Sequence, residues 1–168
     1  MFERRYVKKI VDRLNELDNP LMQVVVGPRQ TGKSTMLVQA LAKIDIEQFY
    51  VSSDDAIVPT EEWLQIEWQQ ARNATQSGSH PVVLVIDEIQ KVPHWSVGVK
   101  SPYDPDRRNN TPVRVVLSGS SSLLLHKGLE DSLMGRFELV HSPHWSYVEC
   151  AEAFGFSFDD YLYYGGYP

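Results

Sequence analysis

Residues 22–35, MQVVVGPRQTGKST, constrain this chain more than any other stretch. A short apolar run ends in glycine, and Gly27-Pro28-Arg29-Gln30-Thr31-Gly32-Lys33-Ser34 satisfies G-x-x-x-x-G-K-[ST] at every defined position. Beyond it, Met36, Leu37, Ala40 and Leu41 recur at helical spacing through Lys43. A strand, a glycine-bearing turn and a helix in that order make a phosphate cradle. The glycines let successive backbone N–H groups point at one anion, and the helix N-terminus adds the positive end of its dipole. Lys33 is expected to reach the β- and γ-phosphates of a nucleotide, the Ser34 hydroxyl to ligate Mg²⁺, and the Thr35 hydroxyl to lie near the α-phosphate. Arg29, inside the loop, is a candidate phosphate contact.

Such a loop needs a sheet to carry it. Val82–Ile86 is apolar without alternation, the pattern of a parallel strand covered by helices on both faces. Met22–Val26, Gln48–Ser52, Val113–Leu117 and Phe137–His141 supply four more strands. Helices are expected over about 3–17, over 33–43, from Pro59-Thr60-Glu61-Glu62 to the break at Ser77-Gly78-Ser79, and over most of Ser121–Met134. In the first helix Phe2, Tyr6, Ile10 and Leu14 form an apolar face flanked by Val7 and Val11. Arg4, Arg5, Lys8, Lys9 and Arg13 read as its solvated remainder, and Asn19-Pro20 ends it. SPYDPDRRNNTP (101–112) holds three prolines and reads as an exposed loop, with Arg107 and Arg108 in solvent. Strands alternating with helices predict a three-layer, doubly wound α/β domain with a mainly parallel sheet. The expected organisation is one unit: an N-terminal helix (1–18), a nucleotide-binding core (21–141), and 142–168 as the opening of a C-terminal region cut short after Tyr164-Gly165-Gly166-Tyr167-Pro168.

A second motif completes the chemistry. VVLVIDE (82–88) ends a hydrophobic strand in Asp87, a carboxylate suited to hold Mg²⁺ through water. Glu88 follows it, placed to polarise an attacking water as general base. LSGSSS (117–122) offers Ser118 or Ser120 as a hydroxyl that senses the γ-phosphate; a serine-rich turn capping the next helix is the alternative. Gly135-Arg136, just before the fifth strand, brings a guanidinium that can meet phosphate from its own subunit or from a neighbour's. The four tryptophans read as packing residues, and His141 and His144 lack the third ligand of a metal site.

Composition narrows the partners. The chain has 168 residues and a net charge of −6, so there is no overall basic field for nucleic acid, although a local patch is left open. A single cysteine, Cys150, forms no internal disulfide. No apolar run approaches the roughly 20 residues that span a bilayer, and no secretory signal opens the chain. The expectation is a soluble, cytoplasmic protein without membrane attachment.

GPRQTGKST, IDEIQKVPHW, LSGSSSLLL, LMGRFELVHSPHWSYVE and YGGYP, in that order, resemble the prokaryotic AAA-type P-loop ATPases of the AAA_14 group, in which the ATPase core is usually fused to a C-terminal DUF4143 domain. Gln30, Gln90, Pro93, Trp95 and Arg136 carry the likeness beyond the generic loop. The resemblance implies a sheet in the order 5-1-4-3-2, ATP or ADP with Mg²⁺ as the bound species, and Asp87 and Glu88 as the water-activating pair. It also puts Ser118 or Ser120 at the sensor position and Arg136 at the family's Gly-Arg element. The activity expected is Mg-dependent ATP hydrolysis coupled to a conformational switch, with a second copy of the chain or a fused C-terminal effector domain as partner. The alternatives are a nucleotide-dependent binding module that hydrolyses little alone and, further off, a small-molecule kinase holding its acceptor at Ser52–Asp55. Glu88 argues against the kinase, because a water-activating carboxylate would waste ATP.

Overall fold

Five parallel strands carry the molecule: β1 (Met22–Gly27), β2 (Glu47–Ser52), β3 (Val82–Asp87), β4 (Val113–Ser120) and β5 (Phe137–His141). They lie in the order β2-β3-β4-β1-β5, which is the 5-1-4-3-2 order implied above. Coordinates come from a computed structural model and describe residues 2–16, 21–76, 80–120 and 132–167. The expected breaks at Asn19-Pro20 and Ser77–Ser79 and nearly all of the helix over 121–134 lie outside those residues.

The unbroken valines of β1 divide between two cores because successive side chains of a strand point to opposite faces. Val24 and Val26 pack with Leu64, Trp68 and Ala71 of α3 (Glu61–Ala74) and with Trp95, Val99 and Tyr103 of α4 (Trp95–Arg108). Val25 faces the other way, into Val7, Ile10 and Leu14 of α1 (Arg5–Asn15) and Met36, Leu37 and Ala40 of α2 (Lys33–Leu41). Each such fully buried valine contributes about 1.5–3 kcal/mol. Helix α3 starts where its cap chemistry says it should: Thr60 accepts from the Trp63 N–H at 3.2 Å, with Glu61 and Glu62 in the first turn.

Two expectations are corrected. The polar, proline-bearing stretch 101–112 is not an exposed loop: α4 runs through Pro102 and Pro105 to Arg108. Proline removes the N–H that would bond the carbonyl four residues back. For Pro102 that carbonyl belongs to Gly98, and the Gln65 side chain supplies the missing donor at 2.9 Å. A side chain on Gly98 would meet Leu64 Cδ2 at 3.0 Å, so the glycine lets α4 lie close on α3. Asp106, buried, accepts from Trp68 Nε1 and Arg72 Nε at 2.7 Å each and ties the far end of α4 to the same helix. The second correction is Arg4. It does not share the solvated face of α1 with Arg5 and Lys8; it is 2% exposed.

Beyond β5 the chain forms α5 (Tyr147–Phe154) and α6 (Phe158–Tyr164), each opened by a capping box, Ser146 with Glu149 and Ser157 with Asp160. Among the described residues no helix is long and apolar enough to cross a membrane.

Candidate functional site

Ligands of open parallel sheets bind beyond the carboxyl ends of the strands, and here β3, β4 and β1 end side by side. Parallel register puts Gly27 opposite Ser120 and Ile86 opposite Leu117, so the glycine-rich loop, Asp87 and the LSGS segment share one mouth.

Asp87 is its centre. The carboxylate is 3% exposed and accepts from the Ser34 hydroxyl at 2.6 Å, from the Tyr50 hydroxyl at 2.6 Å and from the Ser118 hydroxyl. The backbone N–H of Glu88 adds a fourth bond at 2.9 Å. Burial alone would push this carboxyl up; the hydroxyls and the amide outweigh it and hold Asp87 below the usual carboxylate range. Burial and the neighbouring carboxylate push the Tyr50 phenol in the opposite direction, well above its ordinary value. The pairing of a hydroxyl with an ionised carboxylate is the hard-oxygen donor set that Mg²⁺ prefers.

The loop itself begins with a contact. A side chain on Gly27 would lie 2.0 Å from the Ser142 carbonyl oxygen, and Ser142 donates its N–H to the Val26 carbonyl at 2.7 Å. Gly27 is therefore glycine because the chain leaving β5 crosses it. Thr31 and Lys33 both fold back on the Pro28 carbonyl, at 3.0 and 2.7 Å. Gly32 takes φ +80° at the start of α2, and Gln30 is also in the left-handed region at φ 60°. Arg29, Gln30, Ser34 and Thr35 lie toward solvent, while Thr31 and Lys33 are buried. Burial lowers the affinity of Lys33 for its proton; Glu88 and Asp87 work against that, Arg29 with it, and the net displacement is downward.

Glu88 sits at φ 53°, a strained conformation for a non-glycine residue, and its carboxylate accepts from Gln90 Nε2. The Oε1 atom of Gln90 is buried with no partner. Tyr50, the Ser142 contact and the bond from Gln90 to Glu88 escape a reading of the sequence, although Gln90 itself is among the residues that carry the family resemblance. Only the parallel pairing of Ser52 with Asp87, which brings the end of β2 to the carboxylate, signals Tyr50.

Arg136 is placed elsewhere. Its carbonyl accepts from the Met22 N–H at 2.9 Å, at the amino end of β1, whereas the loop follows the carboxyl end. Six residues of strand separate the two ends by about 17 Å. The guanidinium instead forms a fork with Asp104, at 2.7 and 3.0 Å, beside Arg107 and Arg108. Contact between Arg136 and the loop of its own subunit is thereby ruled out, because a residue that precedes a parallel strand lies on the opposite edge from one that follows it.

Residues 19–151 match the family model AAA_14, described as an AAA domain. A curated relative, the uncharacterized protein MJ1637 of Methanocaldococcus jannaschii, is 28% identical over 141 residues, covering 75% of this chain and 27% of that protein. Among solved structures, Cdc6p from Pyrobaculum aerophilum superposes with a TM-score of 0.64 at 13% identity, covering 88% of this chain and 47% of the other. The ORC2 protein of Aeropyrum pernix, solved in ADPNP and ADP complexes, gives 0.63 at 13% identity, with 89% and 51% covered. The structural likenesses establish the fold. The chain spans about a quarter of the curated relative and about half of these two structures.

Proposed function

The chain belongs to the AAA_14 family of AAA domains, and on that premise we propose that it binds ATP with Mg²⁺ at the phosphate loop and hydrolyses it by attack of water on the γ-phosphate. The observation that carries this reading is the meeting of Ser34 and Asp87, 2.6 Å apart, beside the buried ammonium of Lys33. A purely structural carboxylate would not need a hydroxyl from a separate glycine-rich loop turned toward it.

The roles follow from position. Backbone N–H groups of the loop from Arg29 to Thr35 face the phosphates, Pro28 having none to offer, and Lys33, with two donors beyond its bond to the Pro28 carbonyl, neutralises the β- and γ-oxygens. Ser34 and Asp87 would hold Mg²⁺, which supplies charge neutralisation as the terminal phosphoryl group departs. Ser118 and Tyr50 orient Asp87. Glu88 takes the proton of the attacking water, and Gln90 fixes the direction of its carboxylate. Ser120, level with Gly27, is the hydroxyl assigned to sensing the γ-phosphate. Arg29 is a secondary phosphate contact. Arg136 acts on the nucleotide of a neighbouring copy, consistent with its place on the far edge of its own sheet. Loss of the γ-phosphate then becomes a conformational signal for a second copy or a fused effector region.

Two substitutions test the assignment. Lys33→Ala is expected to abolish ATP binding by calorimetry, and an unchanged affinity would end the phosphate-loop reading. Glu88→Gln is expected to keep binding while slowing turnover by about 10²–10⁴-fold. Equal rates in the two proteins would remove Glu88 from the base role.

A further inference from the structure

Arg4 is a charged side chain far from the glycine-rich loop in sequence, and it is 2% exposed. One arm of its guanidinium donates to the Thr31 carbonyl at 3.3 Å and to Ser142 Oγ at 3.0 Å. The other arm donates to the Pro143 carbonyl at 3.1 Å, and Nε pairs with Glu149 at 2.9 Å. Trp145 lies against the guanidinium, 5.1 Å from ring centre to Cζ, and its indole Nε1–H donates to the same Thr31 carbonyl at 3.1 Å. Two donors from opposite ends of the chain thus converge on one peptide oxygen of the phosphate loop, and Thr31 is fully buried.

The peptide bond makes this contact consequential. A trans peptide is planar, with its C=O and N–H pointing in opposite directions. Holding the Thr31 carbonyl toward Arg4 and Trp145 fixes the N–H of Gly32 on the other side, toward the mouth where Ser34 and Lys33 lie. A flip of this peptide would aim a carbonyl at the anion and leave two buried donors unpaired. Gly32, at φ +80°, is the residue whose freedom makes such a flip accessible. We propose that Arg4 and Trp145 are positioning residues of the nucleotide site: by pinning the Thr31 carbonyl they hold the Gly32 N–H toward the phosphates. The inference rests on the nucleotide-binding reading above. It also brings 142–167 into the site's support, because Tyr161 donates to the Trp145 carbonyl at 2.9 Å and Trp145 donates its N–H to the Gly166 carbonyl at 3.0 Å.

The test uses the whole chain and two probes, ATP and inorganic tripolyphosphate, the second of which reaches only the anion cradle. Trp145→Phe keeps a ring against Phe2 and Phe154 and removes the indole donor. Arg4→Lys keeps the charge and loses the fork. Each is expected to weaken both ligands by about three- to tenfold, the size of one hydrogen bond, and to shrink the shift of the Gly32 amide resonance when tripolyphosphate is added. In the unmutated chain, tripolyphosphate is expected to move both the Gly32 amide and the Trp145 indole resonances, a reading that stands even if a variant does not fold. Lower melting temperatures with wild-type affinities and a wild-type Gly32 shift would overturn the proposal and leave ATP binding intact. Failure of the unmutated chain to bind either ligand would overturn the nucleotide reading and this inference together.

Discussion

Gly27→Ala separates a steric demand from a chemical one. The added Cβ would lie 2.0 Å from the Ser142 carbonyl oxygen, 3.0 Å from its carbon and 3.2 Å from its Cβ. An ordinary carbon–oxygen contact is about 3.3 Å, so something must retreat by about 1.3 Å. The obstacle is main chain, and it is the same main chain that donates to Val26 at 2.7 Å. Overpacking of this kind costs about 1–3 kcal/mol and a broken hydrogen bond about 1 kcal/mol more, giving about 2–4 kcal/mol. In a domain of this size that lowers the melting temperature by about 4–16 °C. Gly32→Ala is the control: nothing lies within 4 Å of its added Cβ, and only the φ of +80° is strained. Its cost is about 1 kcal/mol, or about 2–4 °C. Thermal and urea melts followed by far-ultraviolet circular dichroism, with no nucleotide added, measure both. If Gly27→Ala melts no lower than Gly32→Ala, the crossing of the β5 exit over Gly27 is not what demands glycine there.

Two further outcomes are expected. Arg136→Ala is expected to cut ATP turnover by a factor on the order of 10³ while sparing ADP affinity, and mixing it with Glu88→Gln should restore activity that neither protein has alone. A purely structural Arg136 would show no such complementation and would lower the melting temperature with normal specific activity. Gln65→Leu strands the Gly98 carbonyl and is expected to cost about 1–3 kcal/mol in urea denaturation. The same change in a Pro102→Ala background should cost little, because alanine at that position restores the helical donor; equal costs in both backgrounds would refute the compensation.

Short-range chemistry was legible in the sequence and long-range geometry was not. The strand, glycine-rich turn and helix over 22–41, the Asp87-Glu88 strand end and the valine-rich strands are each set by a few adjacent residues, and the alternation of strand and helix leaves few topologies. Helix α4 was hidden because Pro102 and Pro105 outweigh the spacing of Trp95, Val99, Tyr103 and Asp106. What rescues it is Gln65, a residue on another helix. Arg4 looked like one charge among five on α1, and nothing local distinguishes it; its partners lie 27 to 145 residues away. The placement of Arg136 was within reach. That it precedes a strand of a parallel sheet, while the loop follows one, is enough to put the two on opposite edges.

Strand β1 is synthesised first of the five, yet both of its sheet neighbours, β4 and β5, come more than 90 residues later. β2, β3 and β4 can pair in order as they appear, whereas β1 must close a long loop before any ladder bond rewards it. At the pace of synthesis that is a delay of about 5–20 s, during which VVVG is an unpaired apolar segment. The strand that leads into the glycine-rich loop is therefore the last to find its place between partners. This puts the chain among slow folders of non-local topology and makes its maturation, as much as its finished site, dependent on residues near the far end.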